Sequence, residues 1–123
     1  FELGDVADKL IQDYSHGMRQ KLVFVSCFLH APKIVIVDEP WVGLDPKNIR
    51  FVKNFLKERT REGLTVFMST HSLAIIEGVA DRIGIIHWGR LLHTGSLPEI
   101  MALSRNPGSL EDVFLELTED EER

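Results

Sequence analysis

Three short stretches carry residue types suited to phosphate chemistry. The first is "KIVIVDEP", in which four consecutive β-favouring apolar residues end in Asp38 and Glu39. This pattern predicts a strand buried on both faces, with two carboxylates at its C-terminal end, where open α/β sheets bind ligands. Successive side chains point to opposite sides of a strand, so the two acids can take different roles. One can hold Mg²⁺ through water, because that ion prefers oxygen ligands and keeps much of its hydration. The other can orient or deprotonate an attacking water. A solvated acid pair at a strand end is the plain alternative.

The second stretch is "LTVFMSTHS", a second apolar run read as a buried strand, with His71 behind it as Asp38 stands behind the first. Parallel neighbouring strands would bring His71 and Glu39 to the same sheet edge. There an imidazole can donate to a phosphate oxygen or hold a water in place. The plain reading of any single histidine at such a junction is structural. The third stretch is "DYSHGMRQKL", where Ser15, His16 and Gly17 directly precede a helix-forming run. A helix N-terminus offers unpaired N–H groups and the positive end of a dipole, which favour phosphate. Ser15 adds a hydroxyl and Gly17 permits close backbone approach. Read alone, Ser15 is equally an ordinary helix cap.

Positioning these residues requires a scaffold, and the remaining sequence supplies the signals for one. "DVADKLIQD" predicts a short helix with Val6, Leu10 and Ile11 on one side, and Ser15 caps the next, from roughly His16 to His30, closed by Ala31-Pro32. Pro46 opens a helix on which Ile49, Val52, Phe55 and Leu56 recur at helical spacing, and Gly63 stops it. "SLAIIEGVA" reads as a short helix capped by Ser72, and "RIGIIHWGRLLHTG" as a hairpin about Trp88-Gly89. "LPEIMALS" and "SLEDVFLEL" read as closing helices, the second capped by Ser109. Alternating strands and helices predict an α/β fold with a mainly parallel sheet flanked by helices.

Composition narrows the classes of function. The chain has 123 residues, 44% hydrophobic and 27% charged, which suits one water-soluble globular domain. Its longest nearly apolar run, Leu22 to Leu29, is too short to span a bilayer, so a membrane role would come through a partner. No signal sequence opens the chain, and the single cysteine, Cys27, has no internal partner, so a reducing cytosolic setting is expected. The net charge of −5 is concentrated from Glu111 onward, as expected of a solvated acidic tail. Arg50, Lys53, Lys57 and Arg61 form a basic helical stripe, but Glu58 and Glu62 interrupt it, so no nucleic-acid binding is expected.

Taken together and in this order, the three stretches resemble the C-terminal half of an ABC ATPase, the nucleotide-binding domain of ABC transporters. "YSHGM" is similar to the family's LSGGQ signature, "IVIVDE" to its Walker B strand with the catalytic glutamate, "GLDP" (Gly43 to Pro46) to its D-loop, and "STHS" to its switch-histidine loop. The ending "SLEDVFLEL" is similar to exporter-type members. The resemblance implies a partial P-loop NTPase fold, with ATP and Mg²⁺ as ligands. Asp38 would hold Mg²⁺ through water, Glu39 would be the general base, and His71 would contact the γ-phosphate. Asp45 would lie at a dimer interface, and Ser15, His16 and Gly17 would bind the ATP held by the opposite subunit.

The implied partners are a second ABC ATPase domain and a transmembrane permease subunit, at the cytoplasmic face of the cell membrane. The implied function is ATP hydrolysis coupled to export. A non-hydrolysing docking module and a soluble, non-transport ABC ATPase are the alternatives. The sequence departs from the family in having no G-x-x-x-x-G-K-[ST], and Gly84 to Leu91, "GIIHWGRL", is a poor substitute. The expectation is therefore the C-terminal part of one domain. It would comprise a signature segment (1–32), a Walker B to hairpin core (33–96) and closing helices with an acidic tail (97–123). Alone, such a chain would be catalytically inactive, and the open edge at Thr65 to Thr70 would promote self-association. Tyr14, His16 and Met18 replace the signature's leucine, glycine and glutamine, and Trp41-Val42 precedes "GLDP".

Overall fold

The structure is a computed structural model and describes residues 3–4, 7–8, 10 and 16–122. Ser15, Tyr14 and most of the short helix expected over "DVADKLIQD" lie outside the described residues. The chain divides into two compact units, Phe1–His71 and Ser72–Arg123. Among the described residues no helix is long and apolar enough to cross a membrane.

The first unit holds α1 (His16–Ser26), β1 (Ile34–Asp38), α2 (Pro46–Arg61) and β2 (Thr65–Ser69). Strands β1 and β2 pair in parallel, with Ile34 opposite Thr65 and Asp38 opposite Ser69. A parallel pair needs a crossover connection, and α2 is its helix. Helix α2 starts and stops where its sequence directs. The Asp45 carboxylate accepts from the Asn48 N–H at 2.8 Å, Pro46 occupies a first-turn site where no N–H partner is needed, and Gly63 turns the chain with φ 106°. Val52 and Leu56 are buried on its inner face together with Asn48.

Helix α1 ends earlier than its expected limit at His30. Ser26 Oγ and Cys27 Sγ both donate to the Val23 carbonyl, at 2.6 and 3.4 Å, and compete with the helical ladder. The chain then runs through tightened turns, with Cys27 N bonded to Phe24 O and Phe28 N to Val25 O, up to Ala31. Ala31 has φ 48° directly before Pro32, whose ring disfavours a helical residue ahead of it. Phe28 meets Phe55 of α2 edge-on at 4.9 Å, and Arg59 lies over the Phe55 ring.

The expectation that β1 is buried on both faces and that β2 is a second buried strand is corrected. Val35 is 5% exposed, but Ile36 is 75% and its cross-strand partner Phe67 is 67% exposed, with Ile34 also exposed on that face. The pleat sends alternate side chains to opposite faces, and no described element of this unit covers this one.

The second unit holds α3 (Leu73–Ile76), β3 (Ile83–His87), β4 (Arg90–Gly95), α4 (Leu97–Met101) and α5 (Leu110–Glu121). Strands β3 and β4 form an antiparallel hairpin. Trp88 and Gly89 both take positive φ, 48° and 72°, the geometry that matches a two-residue turn to strand twist. The α/β class thus holds, with one parallel and one antiparallel pair as separate two-stranded sheets. The core of this unit is Ile83, Ile85, Ile100, Leu110 and Val113. Ser96 and Glu99 form a reciprocal capping box on α4, and Ser109 accepts from Asp112 N on α5. Ser72 occupies the cap position of α3 without a side-chain capping bond. Its ψ of 74° departs from the extended values near 166° that Ser96 and Ser109 share. The Glu77 carboxylate accepts from the Leu110 N–H, which ties α3 to the start of α5.

Candidate active site

The parallel register does most of the positioning. Because Asp38 lies opposite Ser69, the residues that follow, Glu39 and Thr70-His71, leave the sheet side by side. The backbone ladder runs one step further, with Glu39 N bonded to Ser69 O at 2.8 Å. Glu39 itself has φ 47°, the left-handed region that only a constrained non-glycine residue occupies. That conformation costs about 1–3 kcal/mol and persists only when neighbouring contacts hold it.

Those contacts are visible on the Glu39 side chain. Oε2 accepts from Thr70 Oγ1 at 2.8 Å, and Oε1 accepts from the His71 backbone N–H at 2.7 Å. The His71 ring also meets Oε1 through Nδ1. A carboxylate has about four lone-pair sites, so with three filled roughly one remains, on Oε2, for a water. The Glu39 side chain is 20% exposed, whereas the His71 side chain is 88% exposed. The ring is therefore anchored at Nδ1 and free to present Nε2 outward.

Asp38 is oriented in the same manner. Ser69 Oγ donates to Asp38 Oδ1 at 2.5 Å, and the residue is exposed. The two carboxylates are thus held separately, one by the hydroxyl of Ser69 at the end of β2 and the other by that of Thr70 directly after it. An exposed carboxylate beside a hydroxyl is an all-oxygen donor set of the kind Mg²⁺ takes, and this ion is usually held by one or two carboxylates with phosphates and waters. No group of three or more His, Cys, Asp or Glu side chains suited to a metal is found among the described residues.

Asp45 stands at the first turn of α2, where its carboxylate caps the helix. Sequence reasoning missed that role, although Asp directly before Pro is a recognisable helix start. His16 and Gly17 open α1, and Ser15 lies outside the described residues. Trp41, between Glu39 and Asp45, is buried at 4% exposure, so it packs within the chain. Ser69 and Thr70 were also missed. Their signal was a pair of hydroxyl residues directly before His71, informative only once the register sets them opposite Asp38 and Glu39.

The family profile described as "AAA domain, putative AbiEii toxin, Type IV TA system" matches residues 7–77, a span that includes Asp38, Glu39, Asp45 and His71. The bacitracin transport ATP-binding protein of Enterococcus faecalis is 40% identical over 98 residues, covering 79% of this chain and 32% of its own length. The chain belongs to the ABC transporter ATP-binding protein family. A further member, the fluoroquinolones export ATP-binding protein of Mycobacterium tuberculosis, is 34% identical over 98 residues, covering 80% of this chain and 33% of its own. A solved ATP-binding subunit of an ABC transporter superposes with a TM-score of 0.80 at 37% identity, covering 87% of this chain and 45% of that one. The expected partial P-loop NTPase fold is borne out. This ABC family chain spans about a third of the length of the curated relatives it matches.

Proposed function

We propose that this chain is the C-terminal part of one ABC ATPase domain, which hydrolyses ATP at a dimer interface and drives export through a transmembrane permease. The observation that carries the reading is the Glu39 carboxylate, held by Thr70, the His71 N–H and the His71 ring, with one lone-pair site left for a water. A general base needs this arrangement, a fixed carboxylate within hydrogen-bond reach of the water it polarises. The bacitracin transport and fluoroquinolones export relatives support a role in transport, and the second supports the outward direction.

In this reading Asp38 would hold Mg²⁺ through water, which would supply charge neutralisation for the phosphates. Glu39 takes the proton of the attacking water. His71, anchored at Nδ1 on Glu39, turns Nε2 to the γ-phosphate. When Nδ1 carries the proton toward the carboxylate, a neutral ring offers Nε2 only as an acceptor, so donation to phosphate calls for the protonated ring. Ser15, His16 and Gly17 serve the nucleotide of the opposite subunit, Asp45 lies at the interface between subunits, and the assembly sits on the cytoplasmic face of the membrane.

The test is Glu39→Gln in the full-length protein. Amide for carboxylate keeps the shape and removes the base, so turnover is expected to fall by at least about 100-fold while ATP binding persists. Turnover near the unsubstituted rate would show that Glu39 is not the base.

A further inference from the structure

The carboxylates of Asp38, at the end of β1, and of Glu39, directly after it, do not reach their positions by strand geometry alone. Thr70 Oγ1 donates to Glu39 Oε2 at 2.8 Å in a partly buried setting, while the backbone N–H of His71 donates to Oε1 at 2.7 Å. A hydroxyl donor on Oε2 and a backbone donor on Oε1, where the His71 ring Nδ1 also meets the carboxylate, fix its plane as well as its place. The two donors differ in kind. The His71 N–H belongs to the backbone and is present whatever side chain follows. The Thr70 hydroxyl is the only one of the two that sequence can remove.

Position and residue type both matter at Thr70. It follows Ser69, which pairs with Asp38 in the ladder, so its side chain leaves the strand level with Glu39. Threonine is β-branched and stiff at χ1, so its hydroxyl is offered from a nearly fixed rotamer. Glu39 meanwhile has a positive φ of 47°, and once Oε2 loses its donor its carboxylate is held through Oε1 alone. The free lone-pair site for a water lies on that same Oε2, beside the Thr70 bond.

We infer that Thr70 is a positioning residue for ATP hydrolysis, which sets the orientation of the Glu39 carboxylate toward the attacking water. This rests on the proposed role of Glu39 as general base. Thr70 touches neither water nor nucleotide in this scheme and acts through Glu39.

The test compares Thr70→Val and Thr70→Ser with Glu39→Gln in the full-length protein, reading kcat, KM for ATP, nucleotide affinity and thermal midpoint. Valine keeps the shape and removes the hydroxyl. A carboxylate displaced by a fraction of an ångström predicts a kcat lower by about 10–100-fold in Thr70→Val. KM and nucleotide affinity should stay within about twofold, because the group does not contact nucleotide in the ground state. Thr70→Ser restores the donor and should recover most of kcat. A Thr70→Val enzyme at full kcat, with Glu39→Gln inactive, would overturn the role of Thr70 and leave that of Glu39 standing. Loss of nucleotide affinity or thermal midpoint in Thr70→Val, or no recovery in Thr70→Ser, would reduce Thr70 to a structural residue and also overturn the inference. An active Glu39→Gln enzyme would overturn both readings together.

Discussion

Asp45 combines two roles that a pair of substitutions separates. Its carboxylate caps α2 through the Asn48 N–H, and the proposed function puts the same side chain at an interface between subunits. Removing an N-cap costs about 1 kcal/mol, so Asp45→Ala should lower stability by that amount in chemical denaturation. Asparagine caps as well as aspartate, so Asp45→Asn should unfold like the unsubstituted protein. If the charge also links two active sites, Asp45→Asn loses ATP turnover without losing stability. Full turnover in Asp45→Asn would confine the residue to capping. Trp41, four positions earlier, illustrates the complementary case. Its indole is buried, so an aromatic next to the D-loop-like segment serves packing.

The elements that were legible in the sequence are those fixed by chemistry within a few residues. Pro46 and Gly63 bound α2, Trp88-Gly89 sets the hairpin, and Ser109 starts α5. The end of α1 was not legible, because it depends on Ser26 and Cys27 side chains competing for one carbonyl. The Ser69 and Thr70 bonds to the carboxylates were not legible either, since they exist only after two strands far apart in sequence fall into register. Helix α5 shows what local signals leave out. Its apolar residues gave its position, but the structure decides which of them carry weight. Leu110 and Val113 are fully buried in the second unit's core, whereas Leu115 is exposed. Leu110→Ala should therefore cost about 2–5 kcal/mol through the cavity it leaves. Leu115→Ala should stay within about 0.5 kcal/mol, as surface substitutions do. Equal effects in thermal or urea denaturation of the two variants would mean that α5 docks on a different face.

At the scale of the whole molecule, the sheet in the first unit has an apolar face and an edge that the described residues leave open. Ile34, Ile36 and Phe67 line that face, and β2 pairs with β1 alone. Burying one such side chain fully is worth about 1.5–3 kcal/mol, so three together drive association when two copies meet. The free edge of β2 adds unpaired backbone groups that a second chain can satisfy, a combination that folded proteins usually block with charge. The 123-residue chain on its own is therefore expected to self-associate, with a mass by light scattering that rises with concentration. Phe67→Lys tests the cause as well as the effect. It puts a charge at the centre of the face, opposite Ile36, and leaves the Glu39, Thr70 and His71 cluster untouched. This variant should shift the population toward monomer at equal concentration. A monodisperse monomer of the unsubstituted chain at high concentration would mean that neither the face nor the edge is sticky. Association unchanged by Phe67→Lys would place the contact elsewhere, with the exposed hairpin residues Ile86, Trp88 and Leu91 as the next surface to charge.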